Sequence, residues 1–339
     1  MTENLKGKRL LVVGAGGFIG GFIAAEGLRM GMQVTAAVRH STSRSHLTDP
    51  RLEFLVLDYD DPAAVETAIG AAEPWDYIIY NLGATKCAYY PDFRRINFEY
   101  LRTFCEALKR TGRTPRRLLF MSSLSALGPG DENNYTPLSS SMFPSPATRY
   151  GQSKIMAEQY LEHMAGIPYI IFRPTGVYGP HEQDYLMMVK CIDRHFDFGV
   201  GFRRQMLTFI YVEDLVRAMF EALASGVENR KYIISEDKAY SQKEFRSIVA
   251  EALGGKWVLP VRLPLWAAWV ASAVAEKAAR WQGKTSTLNL DKFKIMKQRN
   301  WTCDVSDARR DFGFTAHVSL REGIRRTVKA YRSAKEQNS

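Results

Sequence analysis

The chain has 339 residues, 46% of them hydrophobic, so it can bury one large core or two unequal ones and is not a disordered protein. Its longest strongly apolar stretch, residues 265–275, is far shorter than the roughly 20 residues that a bilayer-spanning helix needs. The formal net charge of +10 suits an anionic partner, but the basic residues are spread along the chain. They form no recognisable nucleic-acid module, so no nucleic acid is expected as a partner.

The N-terminus and the cysteines indicate a reducing compartment. Residues 1–6 lack the apolar core and cleavage site of a signal peptide, so a cytoplasmic protein is expected. Cys87, Cys105, Cys191 and Cys303 are scattered without paired metal-ligand spacing. Free thiols and no metal site are therefore expected.

Short apolar runs alternate with helical patterns through the first half of the chain. This alternation predicts an α/β fold with a doubly wound parallel sheet, whose ligands bind beyond the carboxyl ends of the strands. The predicted strands are residues 9–13, 33–38, 52–57, 77–81, 117–122 and 169–173.

A glycine-rich turn, GAGGFIG, runs from Gly14 to Gly20, after the first predicted strand and before a predicted helix over 22–30. Glycines at Gly14, Gly17 and Gly20 let a dinucleotide pyrophosphate approach the backbone at a helix N-terminus. A tight turn with nothing bound is the alternative interpretation.

The end of the second predicted strand favours NADP(H) over NAD(H). No Asp or Glu occurs between Gly27 and Thr48, where an NAD-dependent enzyme usually places the carboxylate that binds the ribose. Arg39 could stack on adenine and pair with a 2′-phosphate, or be an ordinary exposed arginine. Asp58, after the third strand, could accept a hydrogen bond from the adenine amino group or only close a turn. NAD(H) stays open as the alternative cofactor.

Tyr150 and Lys154 lie four residues apart, so a helix would place both on one face. An adjacent ammonium favours the phenolate and brings a tyrosine into working range as a proton carrier. Ser123, at the end of the fifth predicted strand, can hold a substrate oxygen beside that phenol. The three groups together predict proton exchange with a substrate oxygen while hydride moves to or from a nicotinamide.

After residue 173 the pattern becomes irregular, with a helix-like stretch over 183–196 and a short strand with an acidic helix start over 209–214. We predict a dinucleotide-binding domain of residues 1–175, rejoined by about 205–224. A smaller, mixed α/β substrate-binding domain would comprise 176–204 and 225–335.

These motifs occur in the order found in a known superfamily. GAGGFIG, Asn81-Leu82-Gly83-Ala84, Asn97, MSSLSALG, YGQSK, RPTGVYGP and FIYVEDL resemble the extended short-chain dehydrogenase/reductase superfamily, which includes the NAD-dependent epimerase/dehydratases. The resemblance implies a Rossmann fold with Tyr150 as the acid/base, Lys154 as its electrostatic and ribose-binding helper, and Ser123 as the donor to the substrate oxygen. For Asn97 it implies either a structural or a proton-relay role. It also leaves open a homodimer through helix 98–109 and the Tyr150 helix.

The predicted cofactor-binding residues follow from the turn, the strand ends and this resemblance. Leu82, Gly83, Ala84, Ser122, Pro174 and Val177 would line the nicotinamide end. The remaining members of the predicted set are Gly14, Gly17, Phe18, Ile19, Gly20, Arg39, Asp58, Tyr59, Tyr150 and Lys154.

Two departures from the family pattern concern the substrate. Nucleotide-sugar epimerases commonly carry an asparagine where Gly176 stands and an arginine where Leu207 stands, and both serve the sugar-nucleotide end. Their absence removes contacts to a diphosphate, although Arg203 and Arg204 could compensate. The layout is similar to 3β-hydroxysteroid dehydrogenase, dihydroflavonol-reductase-like and lipid ketoreductase branches, which act on apolar ketones or alcohols.

Trp266, Val270, Val274, Ala278 and Trp281 recur at helical spacing near the C-terminus. This face could wall an apolar pocket, lie on the inner membrane surface or pack against its own domain.

The function expected from these observations is an NADP(H)-dependent oxidoreductase that interconverts a ketone and a secondary alcohol. Its substrate would be a bulky, largely apolar small molecule, sterol-like or a long-chain lipid. The alternatives are a nucleotide-sugar epimerase, dehydratase or reductase that retains its cofactor, and a non-catalytic NADP(H)-sensing protein.

Overall fold

The structure is a computed structural model that describes residues 3–282, 286 and 288–336. Its strands are β1 (Arg9–Val13), β2 (Gln33–Val38), β3 (Glu53–Val56), β4 (Tyr77–Tyr80), β5 (Arg117–Met121), β6 (Tyr169–Pro174), β7 (Gly176–Tyr178), β8 (Phe196–Val200), β9 (Met206–Tyr211), β10 (Arg230–Ile234), β11 (Ala239–Ser241) and β12 (Leu259–Leu263). Its helices are α1 (Phe18–Arg29), α2 (Pro62–Ala71), α3 (Tyr90–Arg94), α4 (Tyr100–Arg110), α5 (Arg149–His163), α6 (Asp184–Asp193), α7 (Val212–Ser225), α8 (Gln242–Ala252), α9 (Leu265–Trp281), α10 (Leu290–Met296), α11 (Ser306–Phe312) and α12 (Leu320–Glu336).

Seven parallel strands form the main sheet, in the order β10-β6-β5-β4-β1-β2-β3. Successive side chains of a strand point to opposite faces, so Leu10 and Val12 enter one core while Leu11 and Val13 enter the other. The chain runs outward from β1 in both directions, which makes the gap between β1 and β4 the switch point where α/β sheets bind ligands. The predicted doubly wound α/β fold is confirmed.

Strand β10 corrects one predicted boundary. Residues 225–335 were expected in the substrate-binding domain, but β10 pairs with β6 at the edge of the main sheet. Ala308 and Phe314 also belong to the core on one face of that sheet, so the segment around α11 packs against the main sheet as well. The short apolar run Tyr232–Ile234 completes the sheet because β6 otherwise has an unpaired edge.

The chain between these segments forms a smaller mixed α/β region. A three-stranded sheet, β11-β9-β7, packs with α6, α8 and α12 around Tyr178, Phe209 and Phe245, while β8 and β12 form a separate two-stranded ribbon. Within the segment 205–224, α7 packs on the main core, whereas β9 lies in the three-stranded sheet. Among the described residues, no helix is long and apolar enough to cross a bilayer.

Candidate active site

The glycine turn joins β1 to α1 at the switch point. Gly14 has a φ of +83°, and a Cβ on it would lie 2.8 Å from the backbone nitrogen of Leu82, so the loops after β1 and β4 touch here. A Cβ on Gly20 would lie 2.2 Å from the Gly14 carbonyl oxygen. Helix α1 begins at Phe18, four residues earlier than predicted, and its N-cap Gly17 has no side chain to cap it. The uncapped N–H groups therefore face a turn that fits a pyrophosphate.

The predicted adenine end lies at the carboxyl ends of β2 and β3. Arg39 is exposed, and its backbone N–H donates to Thr42 Oγ1 at 3.0 Å. Burial raises the pKa of Tyr59, and the positive charge of Arg39 opposes that rise. The Tyr59 ring itself stacks on Tyr100 at 5.2 Å and belongs to the core. The Asp58 carboxylate accepts the Asp60 N–H at 3.1 Å and closes a turn.

Helix α5 carries both predicted proton-transfer residues, and its N-cap Thr148 accepts the Gly151 N–H at 2.9 Å. Lys154 is buried, and its Nζ donates to the Met121 carbonyl oxygen at 2.8 Å, at the end of β5. Burial lowers the pKa of Lys154 to about 8, whereas the negative charge of Glu158 acts to raise it. The ammonium also lies 2.9 Å from the position of a Cβ on Gly83, so a larger residue at position 83 would displace it.

Tyr150 and Ser123 meet at the end of β5. Burial raises the pKa of Tyr150 to about 12, while a hydrogen bond with the Ser123 side chain lowers it. The Ser123 hydroxyl also accepts the Ser125 N–H at 3.2 Å, which orients it. The structure thus brings the side chains of Ser123 and Tyr150 together and places the Lys154 ammonium at the same end of β5, and the phenol is protonated at neutral pH.

The Ser122 side chain, in contrast to that of Ser123, points into the protein interior. Its hydroxyl donates to Glu158, which is paired with Arg173 in the interior. The Ser122 hydroxyl is therefore engaged within the protein, and the place of Ser122 at the nicotinamide end stays a prediction. Pro174, the last residue of β6, is buried, and Val177, in β7, is half-buried.

Asn97 connects the loop after β4 to α5. Its Oδ1 accepts the Ala84 N–H at 2.8 Å, and its Nδ2 donates to the Ala84 carbonyl at 3.0 Å and to Ser153 Oγ at 2.9 Å. Ser153 Oγ donates in turn to the Tyr150 carbonyl at 2.7 Å. Asn97 lies in a π-helical turn, Arg95–Glu99, a deviation that frequently marks functional sites. In this structure its side chain fixes the backbone next to Gly83.

Three residues of the site escaped the sequence analysis. Asp291, from α10, accepts the backbone N–H groups of Arg149 at 2.9 Å and Tyr150 at 3.3 Å, so the C-terminal region holds the start of the α5 helix. Phe93 contacts Tyr150, with ring centroids 6.3 Å apart. The Tyr185 hydroxyl lies 2.0 Å from the position of a Cβ on Gly176. Asp291 and Phe93 have no local motif, because each contacts Tyr150 across a large sequence separation.

A cavity opens beside Tyr150, between the loop after β4 and the C-terminal helices. Phe93 and Asp291, which both contact Tyr150, line it on that side. Its other lining residues are Cys87, Ala88, Tyr90, Glu276, Ser286 and Asn289. The cavity therefore adjoins residues that contact the ring and the backbone of Tyr150.

Comparison with known proteins identifies the family. The model of the NAD dependent epimerase/dehydratase family matches residues 10–235. The ceramide reductase of Caulobacter vibrioides (strain NA1000 / CB15N) is 24% identical over 324 residues, which cover 95% of this chain and 94% of that protein. The 2-alkyl-3-oxoalkanoate reductase of Shewanella oneidensis is 24% identical over 345 residues, covering 93% of this chain and 84% of that protein.

Solved structures agree on the fold. The UDP-glucose 4-epimerase of Thermus thermophilus, in complex with NAD, superposes with a TM-score of 0.76 at 19% identity and covers 96% of this chain and 99% of that one. The chain therefore belongs to the NAD-dependent epimerase/dehydratase family and is an enzyme of the extended short-chain dehydrogenase/reductase type.

Proposed function

We propose that this enzyme is an NADP(H)-dependent oxidoreductase that interconverts a ketone and a secondary alcohol on a bulky, largely apolar substrate. The observation that carries the proposal is the meeting of Ser123, Tyr150 and Lys154 at the carboxyl end of β5, beside the cavity lined by Phe93.

Each of these side chains has a part in the proposed reaction. A bound NADPH supplies the hydride that reduces the carbonyl carbon. The Tyr150 hydroxyl, protonated at neutral pH, donates the proton to the carbonyl oxygen, and the Ser123 hydroxyl holds that oxygen by a hydrogen bond. The buried Lys154 ammonium stabilises the phenolate left on Tyr150 after the proton has moved.

Two positions favour an apolar substrate over a sugar nucleotide. The Tyr185 hydroxyl fills the space that a side chain at Gly176 would need, so no polar side chain can project there. Leu207 packs against the apolar core of the smaller region, where sugar-nucleotide enzymes commonly carry an arginine. The similarity to proteins named as a ceramide reductase and a 2-alkyl-3-oxoalkanoate reductase also supports this choice.

Arg39 supports NADP(H) as the cofactor, because β2 is followed by this arginine and by no carboxylate up to Thr48, so a 2′-phosphate there would meet a guanidinium. We expect Arg39→Ala to weaken NADPH binding roughly tenfold to a hundredfold, the range of a lost charge-assisted hydrogen bond, and to leave NADH binding nearly unchanged. Fluorescence titration of both cofactors measures this. Arg44→Ala is the matched control, since the Arg44 guanidinium lies over the Phe54 ring at 4.5 Å. Equal weakening of both cofactors by Arg39→Ala would contradict the assignment.

The proposed reaction is tested by following NADPH absorbance with purified protein and a panel of steroid, long-chain keto-lipid and aromatic ketones. We expect oxidation of NADPH with at least one apolar ketone and none with UDP-glucose. A parallel assay follows nucleotide-sugar epimerisation. Epimerisation without net loss of NADPH would overturn the proposal and would direct attention to the exposed Arg203 and Arg204 as diphosphate ligands.

A further inference from the structure

In the two-stranded ribbon of β8 and β12, apolar side chains face outward and a charged side chain faces inward. Phe196 and Phe198 alternate with Asp197, yet both rings are exposed and stack on each other at 6.0 Å, while Asp197 is only 3% exposed. The Asp197 carboxylate pairs inward with Arg246 at 3.4 Å and Arg262 at 3.2 Å. A strand that lies on a soluble core normally buries its apolar face and exposes its charges. The reversed order indicates that the outward face has an apolar environment of its own.

Helix α9 shows the same reversal. Its large apolar side chains face outward, with exposed fractions of 73% for Trp266, 62% for Val274 and 92% for Trp281. Its inward side carries the small, buried Ala268 and Ser272. The face recognised in the sequence therefore does not pack against its own domain, and that interpretation is wrong. An amphipathic helix with its apolar side in solvent is unstable in water alone.

These two elements form one surface. Strand β12 runs directly through Pro264 into α9, and the Gly201 N–H donates to the Leu263 carbonyl at 2.8 Å, which ties the end of β8 to the same corner. We call this the outer apolar surface. Its exposed members are Phe196, Phe198, Phe202, Leu259, Leu263, Leu265, Trp266, Trp269, Val270, Val274 and Trp281.

We propose that the outer apolar surface binds the face of an anionic lipid bilayer, with α9 lying in the plane of the headgroups. Three of its members are tryptophans, the side chain enriched at membrane–water interfaces. Between residues 256 and 299 the sequence has nine Lys and Arg against two Asp and Glu, and of these nine Arg262 and Arg299 face the protein interior. Exposed cations, Arg203, Arg204 and Lys277, stand next to the apolar members along the chain, where lipid phosphates would meet them.

The positive charge of this protein favours an anionic bilayer over a second copy of the chain as the partner of the outer apolar surface. Two copies meeting through this surface would bring two basic segments together in a protein whose net charge is already +10. An anionic lipid surface offers the opposite charge and an apolar interior to the same residues. Helix α9 also reaches the cavity beside Tyr150, through Glu276, so one helix borders both the proposed bilayer and the candidate active site.

The test is co-sedimentation of the full chain with vesicles, without cofactor or substrate, so it does not depend on the proposed reaction. We expect binding to phosphatidylglycerol/phosphatidylcholine vesicles, weakened by high salt, and much weaker binding to phosphatidylcholine alone. Trp266→Ser with Trp269→Ser should reduce the partition coefficient about tenfold or more, because two large aromatic side chains no longer enter the interface. The matched control is Phe54→Ser, on the edge strand β3 of the main sheet.

The double variant is first compared with the parent by thermal melting and NADPH titration, because both mutated side chains are exposed and the fold should be retained. Any of three vesicle results would overturn the proposal: no binding by the parent chain, equal binding by the double variant, or equal binding to neutral and anionic vesicles. A concentration-dependent dimer that the double variant abolishes would overturn it in favour of a second copy.

Discussion

Replacing Tyr150 with phenylalanine is expected to lower kcat about 10²–10⁴-fold, the range that one positioned acid or base contributes, and to leave the Kd for NADPH almost unchanged. The variant keeps the ring that contacts Phe93 and removes only the hydroxyl that meets Ser123. Stopped-flow or steady-state absorbance gives kcat, and fluorescence titration gives Kd. The ketone used is the one that the NADPH panel identifies.

The other members of the site provide the comparison. Ser123→Ala removes one hydrogen bond to the substrate oxygen, so kcat should fall by a smaller factor than in Tyr150→Phe. Replacing Tyr89, an exposed tyrosine next to the cavity residue Tyr90, with phenylalanine is a control for loss of a phenol elsewhere. If Tyr150→Phe turned over at the rate of the parent enzyme, Tyr150 would not be the proton donor.

The strands of the main sheet were the most predictable part of the fold. Strands β1 and β2 begin and end where the sequence predicts, because strands buried on both faces read as continuous apolar runs. Strand β10 escaped prediction because it is an edge strand that opens with Arg230 and Lys231 and has only three apolar residues. The start of α1 was predicted four residues too late. Gly20 and Gly21 look like turn residues in the sequence, but they are helical in the structure.

The candidate site was predictable where one local motif places a side chain. Tyr150 and Lys154 share a helix face, so their spacing is sufficient. Asp291 was not predictable, because its contact with Tyr150 spans 141 residues and depends on how α10 packs. The direction of the Ser122 side chain was not predictable either, since neighbouring residues of an extended segment point to opposite sides. Only the structure shows which serine faces Glu158.

That buried partner of Ser122 also governs the stability of the site. Glu158 follows Lys154 by one helical turn and accepts hydrogen bonds from Arg173 and from Ser122, and both members of the ion pair are fully buried. Its charge opposes the fall in the pKa of Lys154, so Glu158 supports the charge of the proposed helper. A buried ion pair contributes little net stability when intact, but removal of one member leaves an uncompensated charge.

Replacing Glu158 with leucine is therefore expected to lower the free energy of unfolding by about 3–5 kcal/mol, because the Arg173 guanidinium stays buried without its carboxylate. The pair Glu158→Leu with Arg173→Met removes both charges and should recover much of that loss. Urea unfolding followed by circular dichroism measures all three proteins. If the double variant were no more stable than Glu158→Leu, the loss would come from packing of the new side chain, and the Arg173 charge would not be its cause.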